Sequence, residues 1–84
     1  MNEQEILSGL QEILRDVLDD ESFQVSAETT AKDHPEWDSF NHINIVVGIE
    51  MRFGIKFNAL ELDGIKKVGD FVALIQRKKQ AAAA

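Results

Sequence analysis

Seven apolar residues near the start of the chain, Ile6, Leu7, Leu10, Ile13, Leu14, Val17 and Leu18, recur at steps of three and four. At about 100° per residue they share an arc of roughly 140°, which predicts an amphipathic helix. Ser8, Gln11, Glu12, Arg15 and Asp16 fall on its other face, and Glu3 and Glu5 put negative charge where a helix dipole is positive. The helical period is lost from Asp19 to Trp37, where turn-forming residues and the single proline, Pro35, collect. A connection of that length predicts a loop that is functional or pinned by apolar anchors, for which Phe23, Val25 and Trp37 are available. Trp37 reads more readily as a buried peg fixing the loop's return than as a direct binding group.

A second helical pattern opens at Asp38, a suitable N-cap, and closes at Phe53, just before the stop signal Gly54. Asn58 then precedes Ala59-Leu60-Glu61-Leu62, one or two turns ended by Gly64. The last helix is expected from about Gly69, with Val68, Phe71, Val72 and Ile75 as its apolar stripe and Asp70 in its first turn. Gly54 to Phe57 offers at most a short extended link. The expected fold is all-α: a small bundle of three long helices plus one short helix, with one domain over residues 1–80 and a low-complexity tail over 81–84 that either extends the helix or frays.

Composition narrows the functions open to such a bundle. At 84 residues the chain makes one small domain, and without cysteine it has neither disulfides nor a thiolate zinc site, so packed apolar faces must hold it together. The absence of a secretory core or a long apolar run leads to the expectation of a soluble, cytoplasmic protein with no membrane insertion, most simply a monomer. Nine bases against 15 acids give a formal charge of −6. The charge is spread unevenly: −7 over residues 1–33, −3 over 34–63 and +4 over 64–84. An acidic front of that size repels phosphate backbones, which argues against nucleic acid as a partner. The basic run Arg77-Lys78-Lys79 reads as cations at the C-terminal end of a helix dipole.

Sorting the second helix by angle is more informative, because its apolar residues form two stripes. Ile45, Val46, Ile49 and Phe53 make one; Phe40, Ile43, Val47 and Met51 make the other, with Glu50 at one border and a polar arc of Asn41, Asn44, Gly48 and Arg52 at the other. A domain this small has too little interior for both, so the first stripe is assigned to the core and the second to an exposed docking surface. The competing expectation is that the short third helix covers the second stripe.

At the first turn of the same helix, Asp38-Ser39-Phe40 places a hydroxyl beside backbone N–H groups that lack intrahelical partners. A phosphodiester on Ser39 would be stabilised there by the dipole and by those donors. On the local pattern alone, a serine near a helix start is ordinarily just a cap or a solvated side chain. His42 lies beside the core stripe and reads as a structural histidine. Pairing it with Ser39 as a hydrolase dyad lacks an oxyanion hole or pocket in the pattern. No calcium-loop spacing and no phosphate-cradling glycine motif is present.

The stretch Trp37-Asp38-Ser39-Phe40-Asn41-His42-Ile43-Asn44-Ile45 resembles the acyl carrier protein family, the phosphopantetheine-binding carrier domains. The resemblance covers nearly the whole chain. It includes the amphipathic first helix, the long loop, the Asp38-Ser39 pair opening the second helix, the ending Glu50-Met51-Arg52-Phe53-Gly54-Ile55, and the closing pattern Lys67-Val68-Gly69-Asp70-Phe71-Val72. It implies a carrier and not an enzyme, with a phosphopantetheinyl transferase using coenzyme A and magnesium to attach 4′-phosphopantetheine to Ser39. It also implies that Asp38 helps that transferase assemble its metal site. The arm would hold an acyl or aminoacyl cargo as a thioester for loading and processing enzymes of lipid or polyketide biosynthesis, docked on Phe40, Ile43, Val47 and Met51. Phe40 stands where leucine is usual in the family, and Glu36 where glycine is common. Asn41, Asn44 and Arg52 occupy places often acidic in fatty-acid-synthesis carriers, which points to a specialised stand-alone carrier with dedicated partners. The alternative from another class is an unmodified helical interaction module that docks through its second helix while Ser39 stays a cap.

Overall fold

Helix α1 (Glu3–Val17) begins where Asn2 and Glu5 exchange hydrogen bonds in a capping box: the Asn2 side chain accepts from the Glu5 N–H at 2.8 Å, and the Glu5 carboxylate accepts from the Asn2 N–H at 3.3 Å. Its apolar arc then turns Ile6, Leu10 and Leu14 fully inward, with Leu7, Ile13 and Val17 packed at the edge of the core. The computed structural model describes residues 2–83, and among them every regular element is helical. α2 spans Ser39–Phe53, α3 Ala59–Asp63 and α4 Val68–Ala83. The three long helices and one short helix expected from the sequence are present, with α1 packed against both α2 and α4.

The core lies between these three faces, and its most enclosed side chains are Ile6, Leu10, Leu14, Ile45, Ile49, Val68, Phe71 and Ile75. Burial of whole aliphatic side chains, each contributing about 1.5–3 kcal/mol, supplies the stability that the chain has no disulfide to provide. α2 ends at Gly54, whose φ of +67° is in the left-handed region that a residue without Cβ enters freely; its N–H returns to Glu50 O. α3 repeats the α1 capping device, with Asn58 and Glu61 in a capping box. It buries no residue fully.

The long connection from α1 to α2 is held by both its ends and its middle. Phe23 and Trp37 are buried as anchors, so the peg reading of Trp37 is correct. Polar side chains of α1 hold the loop backbone as well: Arg15 Nε donates to Phe23 O at 2.8 Å, and Gln11 Oε1 accepts from the Val25 N–H at 3.1 Å. Further along, Val68 N–H donates to Thr29 O at 2.9 Å and Gly69 N–H to Ala27 O at 2.8 Å, which satisfies two donors that α4 cannot satisfy internally.

Three sequence expectations need correction. The loop is not wholly irregular, because Ala31–Asp33 forms a 3₁₀ turn with the Thr30 hydroxyl bonded to Asp33 at 3.1 Å. α4 starts at Val68, one residue earlier than expected, since Asp70 reaches back to the amides of Lys66 and Lys67 and fixes the entry. The basic run does not close the helix. α4 continues to Ala83, and the lysines turn sideways: Lys78 pairs with Glu61 at 2.9 Å and Lys79 donates to Phe53 O at 3.1 Å, capping the end of α2. Ala84, the last residue of the expected tail, lies outside the described residues. No described helix is long and apolar enough to cross a membrane.

Candidate functional site: the open end and outer face of the second helix

α2 opens with Asp38 in an extended conformation, its side chain accepting from the Asn41 N–H at 2.9 Å while its carbonyl accepts from the His42 N–H at 2.8 Å. The amides of Ser39 and Phe40 precede this first intrahelical bond and face no carbonyl of the preceding turn. Ser39 and Asp38 are both exposed. The remaining bond at this tip, from Asn41 Nδ2 to Glu36 O at 2.8 Å, also leaves the serine hydroxyl unengaged. The positive end of the helix dipole and two unpaired N–H groups therefore lie beside a free hydroxyl, an arrangement that favours an anion joined to that oxygen.

A cleft of about 270 Å³ adjoins the hydroxyl, lined by Ala31, Trp37, Asp38, Ser39 and His42. The loop forms one wall because Trp37 is locked onto α2: its indole Nε1–H donates to His42 Nδ1 at 3.1 Å, and the two rings stack at 6.2 Å between centroids. Burial pushes the His42 imidazole below its ordinary value of 6.5, so the ring is neutral at neutral pH. A neutral ring whose Nδ1 accepts carries its hydrogen on Nε2, and neither nitrogen is then free to take a proton from Ser39. The hydrolase pairing has no base.

The outer face of α2 is apolar. Phe40 is 73% exposed, Ile43 62%, Val47 46% and Met51 80%, whereas Ile45, Val46, Ile49 and Phe53 are buried. The two stripes sort as the helical angles predict, and α3 does not cover the outer one. Leu60 on α3, 84% exposed, joins the set of bare apolar side chains and was not singled out by the sequence reading. The available signal was length: a one-turn helix cannot bury both Leu60 and Leu62, roughly 200° apart, on one side.

No family model matches the chain. The chain is 37% identical over 79 residues to the meromycolate extension acyl carrier protein of Mycolicibacterium aurum, which covers 94% of this chain and 81% of that protein. It is 33% identical over 75 residues to the acyl carrier protein of Acidothermus cellulolyticus, covering 89% of each. The solution structure of holo acyl carrier protein from Geobacter metallireducens superposes on it with a TM-score of 0.85 and 39% identity, over 92% of this chain and 88% of that one.

Proposed function

Because this chain belongs to the acyl carrier protein family, we propose that Ser39 is the residue to which its 4′-phosphopantetheine is joined, through a phosphodiester at the serine oxygen. Membership makes the protein a carrier and not an enzyme or an unmodified interaction module, and it makes 4′-phosphopantetheine its covalently attached group. Its partners are enzymes of acyl processing. The group supplies a terminal thiol that holds cargo as a thioester.

One observation carries the assignment to Ser39: an exposed hydroxyl on the first turn of a long helix whose leading amides are unpaired. The residues fit the group. Ser39 presents the oxygen to solvent, the Ser39 and Phe40 amides and the dipole stabilise a phosphodiester anion, and the adjoining cleft gives the near end of an arm room along Trp37 and Ala31. Asp38 leaves one carboxylate oxygen free of the cap bond and beside the serine, where it can help a phosphopantetheinyl transferase hold magnesium. Phe40, Ile43, Val47 and Met51 form the face on which that transferase and the loading and processing enzymes dock, and the cargo is an acyl or aminoacyl group. We read the protein as a specialised carrier of lipid or polyketide biosynthesis in the cytoplasm.

Incubation with coenzyme A, magnesium and a transferase of broad carrier range, followed by intact mass, tests the assignment. The expected result is one phosphopantetheinyl addition to the natural chain and none to Ser39→Ala. Addition that persists in Ser39→Ala, or none to the natural chain with several competent transferases, overturns it.

A further inference from the structure

Over its whole length α2 contains one acid and one strong base, Glu50 and Arg52, and both are engaged inside the molecule. Glu50 Oε2 accepts the Phe57 N–H at 2.9 Å, and Arg52 Nη1 is paired with Glu12 of α1. Between the exposed apolar residues lie only uncharged groups: Asn44 is exposed, Asn41 is tied to Glu36 O, and Gly48 sits over Ile13. On α3 beside Leu60, Glu61 is bonded to the Asn58 N–H and paired with Lys78, which leaves the exposed Asp63 as the one free acid of that short helix among the described residues. The acids that give the chain its charge of −6 lie mostly elsewhere, nine of the 15 in residues 1–33. A cationic partner surface would therefore be drawn toward the α1 end and the loop, not onto the strip.

Resting on the reading of Ser39 and the strip given above, we infer that the enzymes this carrier serves meet α2 through an apolar recess rimmed by uncharged hydrogen-bonding groups and not through a lysine- and arginine-rich patch. Charge complementarity selects that chemistry. A cationic rim brought against Asn41, Asn44 and the Glu12-paired Arg52 would lose hydration without gaining a counter-charge, whereas an apolar recess removes Phe40, Ile43, Val47 and Met51 from water. Affinity then comes from contact after encounter, and long-range steering toward α2 is weak.

The test uses the natural chain, Asn44→Glu, and two transferases as probes: one with an apolar carrier-docking face, the other with a docking face lined by lysine and arginine. Rates of phosphopantetheinylation are followed by mass from about 0.01 to 1 M salt, across which the Debye length shrinks from ~30 to ~3 Å. The natural chain should be modified about tenfold or more faster, as kcat/KM, by the apolar-faced enzyme, with a fall of less than about threefold across the salt range. Asn44→Glu, at an exposed position, should gain about threefold or more with the cationic-faced enzyme at low salt only. Circular dichroism confirms that the variant is folded. Preference of the natural chain for the cationic-faced enzyme, or a fall of tenfold or more with salt, overturns this inference while leaving Ser39 in place. Failure of both enzymes to add the group overturns the Ser39 reading itself.

Discussion

The indole N–H of Trp37 and Nδ1 of His42, 3.1 Å apart, join the last residues of the long loop to the second turn of α2. His42 in turn lies 6.2 Å from the Phe71 ring of α4, centroid to centroid. Loop, α2 and α4 thus meet at one half-buried polar contact directly beneath the Ser39 cleft. Trp37→Phe keeps an aromatic anchor but removes the donor, and it should cost about 1–2 kcal/mol in urea unfolding. A double-mutant cycle with His42→Gln should recover a coupling of about 1 kcal/mol.

The same histidine gives stability a pH dependence. Its folded form binds a proton less readily than the unfolded chain, because burial holds it below 6.5. Just below that pH the unfolded state takes up the proton first, so stability is complete above 6.5 and declines as pH falls toward the folded value. Urea midpoints measured downward from neutral pH should show this decline, and His42→Gln should flatten it. A second decline should survive in the variant. Asp70, held below 3.8 by the Lys66 amide, and Glu61, held below 4.5 by the Asn58 amide and then by Lys78, contribute stability that disappears as pH falls through and below those values.

The two faces of α2 should separate in one experiment. Ile49 is wholly enclosed, and Ile49→Ala should lower stability by about 2–5 kcal/mol. Phe40→Ala and Val47→Ala remove exposed side chains and should change stability by no more than about 0.5 kcal/mol while slowing modification by the apolar-faced transferase. Equal losses of stability from both faces would contradict the assignment of the outer strip.

Gly9 of α1 lies against the Phe53 ring of α2. A methyl group there would stand 2.8 Å from Cζ of the buried Phe53 ring, nearer than carbon atoms approach. Gly9→Ala gains about 1 kcal/mol of helix propensity in principle. The displaced ring should outweigh that gain, for a net loss of about 1–2 kcal/mol by thermal unfolding.

Angles around a helix are a local property, which is why Ile45, Val46, Ile49 and Phe53 could be assigned to the interior from their spacing and Phe40, Ile43, Val47 and Met51 to the outside. Caps are local too, and Asp38, Asn58 and Gly54 could be read where they stand. Contacts between distant parts of the chain were not legible. Gln11 and Arg15 looked like a solvated face, yet they hold a loop amide and a loop carbonyl 14 and 8 residues away, respectively. Lys79 looked like a dipole complement, yet it crosses 26 residues to the last carbonyl of α2. Flexible polar side chains carry no periodic signal that distinguishes water from a backbone partner, so their roles emerge only once helices are packed. The site followed the same division: the serine, its neighbouring acid and the strip lie on one element, while the cleft beside them is assembled by the loop through Trp37 and His42.

Fixing α2 at both tips, by the Asp38 cap at one and Gly54 with Lys79 at the other, turns it into a measuring rod. Twelve residues separate Ser39 from Met51, about 18 Å at ~1.5 Å per residue. An enzyme that grips the far mark knows the distance to the near one, and its catalytic centre can be placed at the matching interval before any cargo arrives.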